Sequence, residues 1–383
     1  MIWIIFALLI TPAFAHELAT GGIMAFRHPV TTGNTYHISM DWRSVGVAEP
    51  ANSVVMIISW MKGSETVQRD YLEKHGALAE RVLRCPEGVD AAQVDVTLRW
   101  ASTGKLNFSE PRWRDVPALP RRTARVAVGR VGAIENATVE KNVDRMVAWL
   151  DKAGAAKADL ALLPETISDW GTAMQAETVP GPTTARLALK ARQYGMYGAT
   201  SLHETDGGRI FNTAILLGRD GKLVGKYRKV HLPMEEAERG ISPGDQYPVF
   251  STDFGKVGML ICWDHWFPEA ARMMRLAGAE LLLLPLAGDG DARHWDVTTR
   301  ARAMDNTMFV AASSALAGSP SRIVTPAGEV LGETEEDMGL VVHQIDLTAE
   351  RRIRWLSVGS GLGEPSSLYL EERRPGTYRG ISK

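Results

Sequence analysis

The chain has 383 residues, 45% of them hydrophobic and 23% charged, with a formal net charge of −2. That length predicts two or three domains with substantial cores, and the ordinary composition excludes a disordered or repetitive chain. The near-neutral balance gives no reason to expect nucleic acid or an anionic membrane as partner.

The first residues, MIWIIFALLITPAFAHE, carry an apolar run of about a dozen residues, which suits a signal peptide and is too short to span a bilayer. Ala13-Phe14-Ala15 supplies an A-x-A cleavage pattern, so residues 1–15 are expected to be removed and the mature chain to begin at His16. The n-region lacks Lys and Arg, and a buried first strand is the competing reading. No cysteine follows the run and no later stretch is long and apolar enough to cross a membrane. The expectation is therefore a protein exported to the periplasm or beyond, without a stable membrane anchor. Cys85 and Cys262 are the only cysteines, too few for a disulfide scaffold, and both are expected to be free.

Residues 16–120 read as short strands between turns. NTYHISMDWRSVG, SVVMIISWMKG, AQVDVTLRWASTG and KLNFSEPRWRDVP are rich in β-branched and aromatic residues. The alternation of Val94, Val96, Leu98 and Trp100 points to a half-buried strand. A small all-β sandwich follows, with a general likeness to the jelly-roll, galactose-binding-like modules of secreted hydrolases. Trp42, Trp60, Trp100 and Trp113 are read first as core; as a sugar-stacking platform they would make a glycan the partner of this domain. PRWRDVPALP, Pro111 to Pro120, reads as a linker.

From Arg125 the rhythm changes to alternating β and α. RVAVGRVG is a strand, and NATVEKNVDRMVAWLDKAGAAKA a helix with Val139, Val143, Met146, Val147 and Leu150 on one face. DLALLPE is a strand, PTTARLALKARQYG a helix, and NTAILLG with KLVGKYRKV a hairpin turning at Arg219-Asp220-Gly221. Lys256–Pro285 reads as strand, turn, helix, strand, a βαβ unit with Cys262 at the end of its first strand. The apolar strands imply a sheet buried on both faces.

Three segments end apolar strands in reactive side chains: Glu165, Lys229 and Cys262. Strand ends of a parallel-type sheet lie along one edge, so the three are expected to converge on one cleft. A thiol near neutral pH is mostly protonated and needs a base and a nearby cation. Glu165 is the candidate base, with its pKa raised by an apolar pocket; Lys229 would favour the thiolate and donate to an oxyanion. The backbone N–H of Trp263, directly after the cysteine, is a natural second oxyanion donor.

The ordered set LLPE, YRKVHLP and ICWDHWFPE resembles the nitrilase (carbon–nitrogen hydrolase) superfamily over about Arg125 to Tyr378. PGDQYPVF, RARAMDN, TPAGEV and ERRPGTY add to the likeness. The resemblance implies a four-layer αββα sandwich over residues 121–383 and a covalent thioester mechanism. It makes Glu165 the general base and acid, Lys229 the oxyanion stabiliser and Cys262 the nucleophile. It further implies a glutamate that holds substrate, for which Glu236 is the best-aligned candidate and Glu235 and Glu238 the alternatives.

His231 and His265 are read as hydrogen-bonding supports, and Asp264 and the Glu269–Arg272 pair as bracing for the elbow helix. No cluster has metal-ligand spacing and no phosphate or dinucleotide fingerprint is present, so no metal or cofactor is implied. The resemblance implies a homodimer, and a small amide or N-carbamoyl compound as substrate. Trp263-Asp264 combines a nitrilase-like Trp with an amidase-like Asp; Asp264 and the following FPE favour amidase over nitrilase. N-acyl transfer is the rival that the resemblance offers, but the apolipoprotein acyltransferases of the superfamily carry several membrane helices and no such stretch is read here; a catalytically inactive carbohydrate-binding protein is the reading from another class.

Overall fold

The computed structural model describes residues 14–354 and 360–381. Nearly all of the expected signal segment therefore lies outside the described residues. The described residues form two compact units, one of those up to Pro120 together with those from Glu350 on, the other of residues 121–349.

In the first unit two antiparallel-rich sheets share one core. One runs through Ile23–Pro29, Ala91–Leu98, Val54–Lys62 and Glu65–Tyr71; the other is built on Thr35–Val45 with Leu78–Arg84, Lys105–Phe108 and His16–Ala19. Side-chain alternation assigns the faces: Tyr36, Ile38, Met40 and Trp42 point inward from one sheet, Val54, Met56, Ile58 and Trp60 from the other. Trp42 and Trp60 are buried, and Trp113 packs on the same core with His28 stacked against it at 4.7 Å. Trp100 stands apart, exposed and at φ 58°, because the strand ends at Leu98. The four tryptophans therefore do not form a stacking platform.

Two boundaries differ from the sequence reading. Arg112–Val116, taken as linker, is a strand paired with Thr35–Ser39; Pro111 and Pro117 flank it and leave its own N–H groups intact. The described residues from Glu350 on, placed with the hydrolase domain, belong to the first unit. Leu362–Gly363 adds a parallel strand to the edge of Glu65–Tyr71, where unpaired backbone would otherwise face solvent. Arg352 reaches fully buried Asp70 at 2.6 Å, beside the Trp60 and Gln68 N–H donors on the same carboxylate. Arg81 adds ion pairs to Glu364 and, at 3.8 Å, to Asp70. Arg352→Ala strips a cation from a carboxylate that cannot reach water. It is expected to destabilise the first unit by about 3 kcal/mol, read as a lowered denaturation midpoint.

The second unit has two six-stranded sheets. In the first, Thr123–Val128, Leu160–Leu162 and Tyr197–Asp206 run parallel; Arg209–Leu217 and Leu223–Arg228 extend one side and Val341–Asp346 the other, all antiparallel. The second has Lys256–Met259, Leu281–Leu286 and Phe309–Ser314 parallel at its centre, flanked by Val249–Ser251, Ser321–Val324 and Val330–Thr334. Inward residues of the two sheets meet in one core, Val126, Leu160 and Leu216 with Met259, Leu283 and Ala311. The other face of the first sheet is covered by helices Val139–Ala155 and Pro182–Tyr194, through Val143, Met146, Trp149, Leu150 and Leu187. Helices Pro268–Leu276 and Ala292–Asn306 cover the second sheet with Ala270, Met274, Trp295 and Ala303. The layers are thus helix, sheet, sheet, helix. Strands apolar on both faces are what this burial requires.

Candidate active site

The βαβ unit places the thiol. Lys256–Met259 runs into Ile261, and the chain then turns sharply through the short helix Cys262–Trp266 before helix Pro268–Leu276. Cys262 itself has φ 41°, a left-handed backbone that a side-chain-bearing residue adopts only when its surroundings enforce it.

Those surroundings are visible. Asp264 is fully buried and its Oδ2 accepts from Ile261 N at 3.0 Å and from the Tyr227 hydroxyl at 2.7 Å. Its Oδ1 accepts from His231 N and lies 2.9 Å from His231 Nδ1. One carboxylate thereby ties the residue before Cys262 to residues on both sides of Lys229. His265 Nδ1 donates to the Cys262 carbonyl at 2.6 Å, and Arg302 donates to the carbonyls of His265 and Trp266. Both histidines are the supports the sequence suggested. Asp264 braces the turn through Tyr227 and His231, and Arg272 ties the elbow helix to helix Ala292–Asn306 by donating to the Asp305 carbonyl at 2.6 Å.

The other two strand ends arrive at the same place. Glu165 follows Leu160–Leu162, and Lys229 follows Leu223–Arg228; both are almost completely buried. Lys229 Nζ donates to Glu165 Oε1 at 2.8 Å and to Glu236 Oε1 at 2.7 Å. Glu236, on the short helix Met234–Glu238, is the acidic residue that reaches the lysine; Glu235 and Glu238 are exposed. Its Oε2 is buried without a hydrogen-bond partner among the described residues.

Two contributors carry no motif. Ala287 N donates to Glu165 Oε2 at 2.8 Å, a backbone group with no side-chain signature. Asn212, in the strand Arg209–Leu217, donates through Nδ2 to Glu165 Oε1 at 2.7 Å and to Glu236 Oε1 at 3.3 Å. An asparagine buried inside an otherwise apolar strand, RIFNTAILL, was a signal that could have found it.

These contacts set the protonation states. Burial alone pushes the Glu165 carboxyl up, but the Lys229 charge and its hydrogen bond, together with the Cys262 and Ala287 donors, outweigh it and hold the group below its ordinary value. This corrects the expectation of a raised pKa. Burial, and then the Glu165 charge, pushes the Cys262 thiol well up despite Lys229. Lys229 is raised in spite of its burial, chiefly by Glu165, Cys262 and Glu236. Glu236 is raised, by burial first and by Glu165. The resting arrangement is thus a thiol facing an ionised carboxylate with an ammonium between two carboxyl groups. It can take a proton from sulfur and stabilise a negative oxygen without any preformed thiolate.

Comparison with known proteins identifies the family. Residues 125–354 match the family model described as carbon-nitrogen hydrolase. The chain is similar to the omega-amidase NIT2 of Xenopus tropicalis, with 35% identity over 239 residues that cover 56% of this chain and 86% of that protein. An amidase from Nesterenkonia sp. superposes with a TM-score of 0.55 at 25% identity, covering 67% of this chain and 96% of that one. A variant of the Nesterenkonia sp. AN1 amidase, described as showing Michael addition of acrylamide at the active-site cysteine, gives TM-score 0.55 and 25% identity over 67% of this chain and 99% of that one. The match spans more than half of the 383 residues and contains all three strand-end groups, so the chain belongs to the carbon-nitrogen hydrolase family.

Proposed function

We propose that the protein hydrolyses a small amide or N-carbamoyl compound through a thioester on Cys262. The observation that carries this reading is the shared Lys229: one buried ammonium in hydrogen-bond contact with Glu165 and Glu236, at the strand ends that also deliver Cys262.

In the first half-reaction the Cys262 proton passes to Glu165 as sulfur bonds to the amide carbon. The carbonyl becomes an oxyanion held by Lys229 and the Trp263 backbone N–H. Glu165 then gives its proton to the departing nitrogen, ammonia or an amine leaves, and the acyl group stays on sulfur. In the second half Glu165 takes a proton from water, whose oxygen attacks the thioester. Collapse returns the proton to Cys262 and releases a carboxylic acid, which ionises in water. Glu236, with its unpartnered Oε2, is the acceptor offered to the substrate nitrogen. The amidase names of the relatives, together with Asp264, favour an amide over a nitrile.

Export is part of the proposal. Ala13-Phe14-Ala15 precedes a first strand that starts at His16 and pairs with Phe108.

The test is ammonia release on a panel of small amides, N-carbamoyl compounds and nitriles, with Cys262→Ala alongside. Turnover by the unsubstituted protein and a loss of at least ~10⁴-fold in Cys262→Ala are expected; near-equal turnover in the variant sinks the mechanism. Fractionation of cells expressing the full-length chain, with intact mass of each fraction, tests export: an exported chain beginning at His16 is expected, and a chain confined to the cytoplasm with Met1 retained overturns the export proposal.

A further inference from the structure

The Glu165 carboxylate is surrounded by donors, and counting them assigns a task to a residue outside the three strand-end groups. A carboxylate has about four lone-pair positions, two on each oxygen. Oε1 fills both of its positions, with Lys229 Nζ at 2.8 Å and Asn212 Nδ2 at 2.7 Å. Oε2 takes Ala287 N at 2.8 Å, which leaves one position, and the Cys262 thiol is hydrogen-bonded to this same carboxylate. The orientation of the Asn212 amide follows from the chemistry: both neighbours are carboxylate oxygens, which only accept, so the NH₂ end must face them.

Asn212 also repeats the bridge that Lys229 makes. Each donates to Glu165 Oε1 and to Glu236 Oε1, so the two oxygens and two nitrogens form a closed ring of four hydrogen bonds. Its place in the ring is fixed by the backbone, since the Asn212 carbonyl accepts from Lys229 N at 2.9 Å. The side chain is 1% exposed, so its donors have no water to turn to.

We propose that Asn212 is a positioning residue that occupies the second site on Oε1, so that Glu165 stays ionised and receives the Cys262 proton on Oε2 alone. Removing its donor reopens Oε1, frees the carboxylate to turn, and leaves Lys229 alone between two acidic groups. The charged and titratable groups facing Glu165 are Lys229, Glu236 and Cys262, and none of them replaces a neutral donor on Oε1. The inference rests on Glu165 being the base and Cys262 the nucleophile.

The experiment is the pH dependence of Cys262 alkylation by iodoacetamide on the full chain, followed by intact mass. It needs no substrate, and Cys262→Ala reports labelling at Cys85. With a base beside the thiol, transfer of the proton within the pair leaves the proton count unchanged, so the rate is flat with pH until the carboxylate itself is protonated. The unsubstituted protein is therefore expected to show an acid limb below about pH 4.3, the ordinary glutamate value. In Asn212→Ala the limb should move up by about one pH unit, with labelling ~10-fold slower within the shifted interval. Asn212→Asp keeps the shape but substitutes an acid for the amide donor, and it should move the limb the same way if the alanine variant does not fold. A limb unmoved in a folded variant overturns the proposal. If Glu165→Gln instead labels with the unsubstituted protein's flat profile, it is the base assignment that has failed, and the role of Asn212 falls with it.

Discussion

Glu165→Gln is expected to lower turnover at neutral pH by about 10⁴-fold, because one carboxylate serves as acid and base in both half-reactions. The change is nearly isosteric but chemically pointed. Lys229 Nζ, Asn212 Nδ2, Ala287 N and the Cys262 thiol all donate to the carboxylate. A glutamine must turn its own NH₂ toward one side or the other, so donor meets donor in either orientation. The side chain is 2% exposed, and a stability loss of about 1–3 kcal/mol is expected alongside the kinetic one. Kinetics separate the two effects. With Glu165 in place, cysteine reactivity should be flat across neutral pH, since base and thiol share one proton. In the glutamine variant the Cys262 thiol must ionise to solvent, and its pKa lies well above the ordinary range, with burial as the leading cause. Log reactivity should then rise with unit slope through neutral pH. A flat profile in Glu165→Gln removes the carboxylate from the mechanism.

Glu165, Lys229 and Cys262 were legible as polar residues following strands, but the single sheet edge expected to gather them is in fact two facing sheets, the first carrying Glu165 and Lys229 and the second Cys262. Periodicity likewise marked helix Val139–Ala155, although Trp149, now central to its buried face, was left out of the predicted stripe. What could not be read was set by tertiary counting. The direction of the Glu165 shift depends on how many donors reach it, and one of these is the main chain of Ala287, 122 residues away. The destination of the described residues from Glu350 on depends on Arg352 meeting Asp70, 282 residues earlier, which no local pattern encodes. The strand Arg112–Val116 was hidden by prolines at both ends, although five residues between them suffice to pair with Thr35–Ser39.

Lys229→Met tests the electrostatic centre of the site. The lysine is 1% exposed and sits between two carboxyl groups, so a methionine of similar reach keeps the volume and removes the charge. Loss of the oxyanion donor alone should cost about 10²–10³-fold in turnover, and the disturbed base should take the total beyond that. The effect on stability has a sign that depends on pH. In the unsubstituted protein the folded pKa of Glu165 is depressed, so its contribution is present above the unfolded value and lost as pH falls through the folded one. Without Lys229 the remaining influences on Glu165 include burial, which acts upward, and beside it lies Glu236, whose carboxyl is already raised. The folded pKa then lies above the unfolded one, and the variant regains stability as pH falls. The gap in melting temperature between the two proteins should therefore be widest near neutrality, where an uncompensated buried charge costs about 3–5 kcal/mol, and should narrow steadily toward pH 4.5. A gap that stays constant over that range means the lysine acts through packing alone. In that case the ionised state of Glu165 must be held by its neutral donors, Asn212 and Ala287, rather than by the ammonium.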